Sequence, residues 1–153
     1  MKITAAATLL LLILVFTTGC TGQMKSSFEE KDLNTVPGIA LGEVIQDGNR
    51  LTYTLSNHAG ETMWYGAEIR LETEKNGQWY KVEPVADFTA EIYGLSSGSE
   101  KGMRLNLDSF KDMKSGTHRL IKTFYLTEYN ELRKMEEPGK EMYHVSCEFE
   151  IKK

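Results

Sequence analysis

From Ile39 onward the chain alternates apolar and polar residues with a period of two, and that pattern commits it to β-strands. Arg50-Leu51-Thr52-Tyr53-Thr54-Leu55-Ser56 sends Leu51, Tyr53 and Leu55 to one face, and Asn57-His58-Ala59-Gly60 then interrupts the run. Glu68 to Glu74 alternates charged with apolar or β-branched residues. Asn76-Gly77 follows at once, a pair that accepts positive φ at both positions and marks a tight hairpin. Gln78 to Val82 makes the return strand, with Trp79 and Tyr80 on opposite faces, so that one of the two points inward. Shorter strands are expected over Glu91–Leu95 and Lys101–Leu107, around Ser96-Ser97-Gly98. A long strand is expected over Thr117–Thr127, and Tyr143–Ile151 closes the chain. About eight short strands without a helix-length amphipathic run before Glu128 predict an all-β fold, an antiparallel β-sandwich.

The N-terminus is of another kind. Lys2 precedes an apolar run of twelve residues, Ala5 to Phe16, which is short for a membrane span and suited to a secretory signal. The run ends in Thr17-Thr18-Gly19-Cys20. This resembles a bacterial lipoprotein signal and its lipobox, with Thr17 where the pattern usually has Leu. The resemblance implies cleavage after Gly19 and lipidation of Cys20, whose sulfur is the side chain most readily alkylated at neutral pH. The alternatives are an ordinary secretory signal or an uncleaved anchor. Residues 1–19 are therefore expected to be a signal peptide and 20–37 a lipidated cysteine with a flexible polar tether. Residues 38–153 are expected to form the folded domain.

Removal of residues 1–19 leaves 134 of the 153 residues, enough for one domain with its own core. That segment carries one Lys and no acid, so the formal charge moves from −4 to −5. A mildly acidic chain without a basic block argues against nucleic acid. It also argues against electrostatic docking on anionic lipid, leaving the acyl anchor as the expected membrane link. The only cysteines are Cys20 and Cys147. With Cys20 alkylated no internal disulfide is possible. Strand alternation puts Cys147 on the core face as a small hydrophobe.

Trp64-Tyr65-Gly66-Ala67-Glu68-Ile69-Arg70-Leu71-Glu72, followed by Asn76-Gly77-Gln78-Trp79-Tyr80-Lys81-Val82, resembles a bacterial immunoglobulin-like domain of secreted and lipid-anchored proteins, chiefly of Gram-positive bacteria. Ser115-Gly116-Thr117-His118-Arg119-Leu120-Ile121-Lys122 is similar to the family's late strand, with His118 in the place of Tyr and Ser115 where Pro often stands. The resemblance covers roughly residues 39–151. It implies an immunoglobulin-like antiparallel β-sandwich of about seven to eight strands. Its motif positions here are Trp64, Tyr65, Gly66, Leu71, Glu72, Gly77, Trp79, Tyr80, Gly116, His118, Arg119 and Lys122, and the Trp that the family keeps at Trp79 implies that this ring packs in the core. At such a corner His118 is expected to offer a ring N–H to a backbone acceptor, as the family's Tyr offers its hydroxyl.

Catalytic constellations are sparse. His58, His118 and His144 lie in separate segments, without metal-ligand spacing, and there is no nucleophile elbow or phosphate-cradling glycine loop. Glu68, Glu72 and Glu74 alternate with Arg70 as a solvated ladder. No cofactor and no metal are expected. Glu128 to Met142 is highly charged and broken by Pro138-Gly139, and Tyr129, Leu132 and Met135 are expected along one side of a short helical turn. It reads either as a solvated loop or as an interaction loop carried by Tyr129, Leu132, Arg133 and Met135. The expectation is a lipid-anchored, non-catalytic domain on the extracytoplasmic face of the cell membrane. It would bind or regulate an envelope protein or polymer. The alternatives are a structural spacer and an enzyme with an unrecognised site.

Overall fold

The computed structural model describes residues 22–152, so Cys20 and the expected signal peptide lie outside the described residues. Eleven strands are described: β1 Ile39–Leu41, β2 Ile45–Asp47, β3 Arg50–Asn57, β4 Met63–Gly66, β5 Arg70–Lys75, β6 Gln78–Val82, β7 Ile92–Leu95, β8 Ser99–Asn106, β9 Gly116–Asn130, β10 Met135–Pro138 and β11 Tyr143–Ile151. Four strands have no counterpart among the seven ranges read from the sequence, the short β1, β2, β4 and β10, whose three or four residues show too few alternations to register as a period. Among the described residues the named strands all pair antiparallel, in two sheets. One joins β1, β2 and β8 to β3, and the other joins β4, β5, β10 and β11 to β9, with β6 and β7 outermost. The all-β sandwich read from the sequence is the observed fold.

In the smaller sheet β3 alternates as expected, with Leu51, Tyr53, Leu55 and Asn57 buried. The hairpin between β5 and β6 turns at Asn76 and Gly77, at φ 54° and 76°, as the pair requires. Leu71 pairs with both Val82 and Leu120, setting three core residues abreast. Cys147 pairs with Leu120 and packs against the core, where burial pushes its thiol up to about 11. Glu128 to Met142 is not helical. β9 continues to Asn130 and returns as β10, so the segment is a hairpin whose tip is ordered by the Asn130 carboxamide oxygen accepting from the Leu132 and Arg133 amides. In this ribbon Met135 pairs with Asn130 and Glu136 with Tyr129, which puts Tyr129 and Met135 on opposite faces.

β9 departs from alternation: every residue from His118 to Lys122 is buried. Its even-numbered residues face the core, and its odd-numbered ones, Arg119 and Ile121, face away from it. The covering layer is the segment expected to be a flexible tether. Lys25 bridges Tyr80 on the open edge of β6, where the Ser26 amide donates to the Trp79 carbonyl at 2.9 Å and the Lys81 amide to the Met24 carbonyl at 2.8 Å. The chain then crosses the outer face and reaches β11, where Leu33 bridges His144 and the Asn34 amide donates to the His144 carbonyl at 2.8 Å. The Asn34 side chain adds bonds to the Ser146 amide and hydroxyl. The tether is corrected to a strap. Its polar composition conceals it in the sequence because backbone pairing holds both ends, and side-chain periodicity does not.

Midway, Phe28 lies 4.7 Å from the Arg70 guanidinium and packs edge-on against His144, with ring centroids 4.7 Å apart. The His144 ring also shares a 3.1 Å hydrogen bond with the Thr123 hydroxyl. Burial, reinforced by Arg70 and partly opposed by Asp32, pulls the His144 pKa below the ordinary histidine value. The folded chain therefore takes up this proton later than the unfolded chain does as pH falls. Stability is expected to decline as pH drops through about 6.5. Urea denaturation at several pH values should show that decline, and His144→Gln should flatten it; an unchanged slope in the variant would contradict the assignment.

Candidate functional site

The family-like motif residues gather around β9 and divide between its two faces. On the outer face the Arg119 Nε donates to Glu72 Oε2 at 2.8 Å, with both side chains 1% exposed. Its two terminal nitrogens reach across to the strap, one to Glu30 Oε1 and the other to the Ser26 hydroxyl at 3.3 Å. The guanidinium sits 4.4 Å from the Trp79 ring. Trp79 is thus half-buried between β6 and the strap and is absent from the sandwich core where it was expected. Glu72 is likewise no part of a solvated ladder. Its second oxygen has no hydrogen-bond partner among the described residues.

On the inner face β4 and β5 lie end to end along one edge of β9. Tyr65 pairs with Phe124 and Arg70 with Ile121, so five steps on one side oppose three on the other. The extra residues bulge out, and the buried Lys122 ammonium takes the carbonyls they expose, Gly66 at 2.5 Å and Glu68 at 2.6 Å. It also lies 5.4 Å from the Tyr65 ring. Burial lowers the Lys122 pKa to about 8, with Glu68 opposing. His118 Nδ1 lies 2.7 Å from the Gly116 carbonyl, the corner contact expected of it. Trp64 donates its indole N–H to the Thr127 hydroxyl at 3.0 Å. Tyr80, at the far side of the β5–β6 hairpin, packs its ring near the Lys75 ammonium. These side chains brace strands against one another.

The four residues proposed for an interaction loop are brought onto one hairpin but not onto one face. Leu132 stands at the tip, 96% exposed, and Arg133 pairs with Glu137 at 3.3 Å. The hairpin lies at the Asn130 end of β9.

A concavity lies at the opposite, Gly116 end. β1 packs on β11 and closes that side of the sandwich, but a gap remains beside β2. The gap is a cleft of about 1140 Å³. Val44, Leu107, Phe110, Met113 and Phe149, all part of the core packing, give it an apolar floor. Glu43, Asp108, Asp112, Glu148 and Glu150 line its mouth, with Lys152 as the one basic side chain of the lining, a balance of −4. Gln46 spans the gap, its carboxamide donating to the Lys152 carbonyl at 3.0 Å and accepting from the Lys152 amide at 2.9 Å. Among the described residues no three His, Cys, Asp or Glu side chains converge to hold a metal. Sequence reasoning missed this cleft because its walls come from three separated segments, 43–49, 107–113 and 148–152, and no local pattern marks their meeting.

The family model described as a bacterial Ig-like domain matches residues 41–150. No curated protein matches the chain, and no solved structure does.

The Arg119–Glu72 geometry sets a stability test. Arg119→Met strands a buried carboxylate and is expected to cost about 3–5 kcal/mol, whereas Arg119→Met/Glu72→Met removes both charges and should recover much of that loss. Chemical denaturation of both variants decides it; a double variant no more stable than the single one would contradict the pairing.

Proposed function

Because this chain belongs to the bacterial Ig-like domain family, we propose that it is an extracytoplasmic, lipid-anchored binding domain whose cleft recognises an envelope partner without catalysis. The single observation that carries this reading is the cleft, an apolar floor with a rim of balance −4. A pure spacer has no use for such a concavity, since apolar surface left open to water between sheets gives up burial that closing the sandwich would provide. An apolar floor with a polar mouth is the usual form of a recognition site. The rim selects the complementary charge, so the partner is a segment pairing apolar side chains with cationic ones, as in a basic loop of an envelope protein.

The anchor rests on the sequence. The Lys2-led apolar run and Gly19-Cys20 fit a lipoprotein signal. Two acyl chains on Cys20 supply stable membrane residence where one gives only marginal binding.

The test compares capture from solubilised envelopes by three forms of the protein. Glu43→Lys/Glu148→Lys inverts rim charges at exposed positions and should abolish capture of the principal partner. Replacement of residues 131–134 by Gly-Ser at the hairpin tip should leave capture intact. Capture lost only with the tip replacement would transfer the role to Leu132 and its neighbours. The absence of specific capture by the unaltered protein would favour the spacer.

A further inference from the structure

The strap changes what the anchor does. With a tether of seventeen residues the domain would tumble freely above its lipid, but the pairing of Lys25 with Tyr80 brings the attachment point onto the body itself. Only Thr21, Gly22, Gln23 and Met24 separate Cys20 from that bridge. Gln23 is moreover held by the Lys75 ammonium, which donates to its side-chain oxygen. Cys20 is two residues before Gly22, a reach of about 7 Å at most. An acylated Cys20 therefore brings this end of the sandwich to headgroup level.

A hollow at that end carries the local charge opposite to the chain's, separated by the 111–113 segment from the acidic cleft. Gly22 and Gln23 border a hollow of about 520 Å³ lined by Lys75, Lys81, Lys111 and Lys114. Two acids share the lining, Glu83 and Asp112, which leaves a balance of +2 within a protein of net charge −4. Lys81 is occupied in part by Glu83, at 3.1 Å, while Lys75, Lys111 and Lys114 are exposed. The expectation that the acidic chain does not dock on anionic lipid takes its charge as an average, whereas this hollow differs from that average locally.

We infer that the basic hollow beside Gly22, on the other side of the 111–113 segment from the acidic cleft, is a membrane-docking face, on which Lys75, Lys111 and Lys114 engage the phosphate groups of anionic phospholipid. The inference rests on the lipid-anchor reading for its reach. Two points select a bilayer as the occupant: the short stretch of chain between the hollow and the acylation site expected at Cys20, and the sign of the charge gathered in the hollow. At physiological ionic strength the surface field decays over about 8 Å, so this interaction works only for a body held as close as the strap holds this one. β9 then leads away from the membrane. Its fifteen residues extend about 50 Å, which carries the β9–β10 hairpin outward.

The experiment is a lysine footprint on the full protein purified from cells. It is reconstituted into phosphatidylcholine vesicles with or without phosphatidylglycerol and treated with an amine-acylating reagent. Mass spectrometry should find Lys75, Lys111 and Lys114 modified about fivefold more slowly in the anionic vesicles, the worth of roughly one lysine contact. Lys101 and Lys140, towards the other end, should react alike in both. About 0.5 M salt should erase the difference. In Lys111→Glu/Lys114→Glu the protection of Lys75 should fall, and the exposed positions leave folding intact. Equal modification in both vesicles, or protection shared equally by Lys101 and Lys140, would overturn the docking face. The mass of the N-terminal peptide reports acylation of Cys20 separately, so the anchor and the face can each fail alone.

Discussion

The buried guanidinium of Arg119 is the contact on which the outer half of this structure depends. A charge that is 1% exposed has lost its water and needs partners on every side. Arg119 finds Glu72 on β5, the Trp79 ring on β6, and Glu30 and Ser26 on the strap. One side chain thus joins two strands to the N-terminal segment. The strap in turn excludes water and strengthens each of those interactions. The hydrophobic core holds the two sheets together, and this polar cluster holds a third layer onto one of them.

The sandwich was legible because alternation survives in strands with one wet face. β3, β6 and β11 match the bounds or faces expected of them, and Asn76-Gly77 turns where it should. What escaped detection traces largely to the strap. Glu72 reads as a surface carboxylate on a strand of alternating charge, and nothing within residues 68–74 shows that another segment covers it. Trp79 reads as core because the family resemblance keeps a Trp there, yet its burial comes from the outside. The strap has no period, since its hold on β6 and β11 runs through backbone N–H and C=O groups that every residue carries. The hairpin at 128–138 was obscured in a related way, because charged side chains on a two-stranded ribbon of mostly open faces carry no alternation to read.

The motif positions expected from the family resemblance gain a physical explanation from this arrangement. Tyr65-Gly66 ends β4 where Lys122 needs carbonyls, Glu72 and Trp79 flank Arg119, and Gly116 supplies the acceptor for His118. These residues maintain the sandwich and its strap, and the recognition we propose falls to parts outside the motif. The cleft belongs to this second group. It is built from the ends of β2 and β11 and from the 107–113 segment, where the two sheets part.

The central claim is that residues 24–34 form a fixed layer of the fold, closed by Arg119. Amide hydrogen exchange measures it directly through the Ser26 and Asn34 N–H groups, which donate to Trp79 and His144 at the two ends of the strap. The account predicts that both exchange far more slowly than free peptide, by orders of magnitude, in step with amides of the neighbouring strands. Exchange at Ser26 and Asn34 at the rate of an unstructured chain, with β5 and β9 still protected, would contradict it.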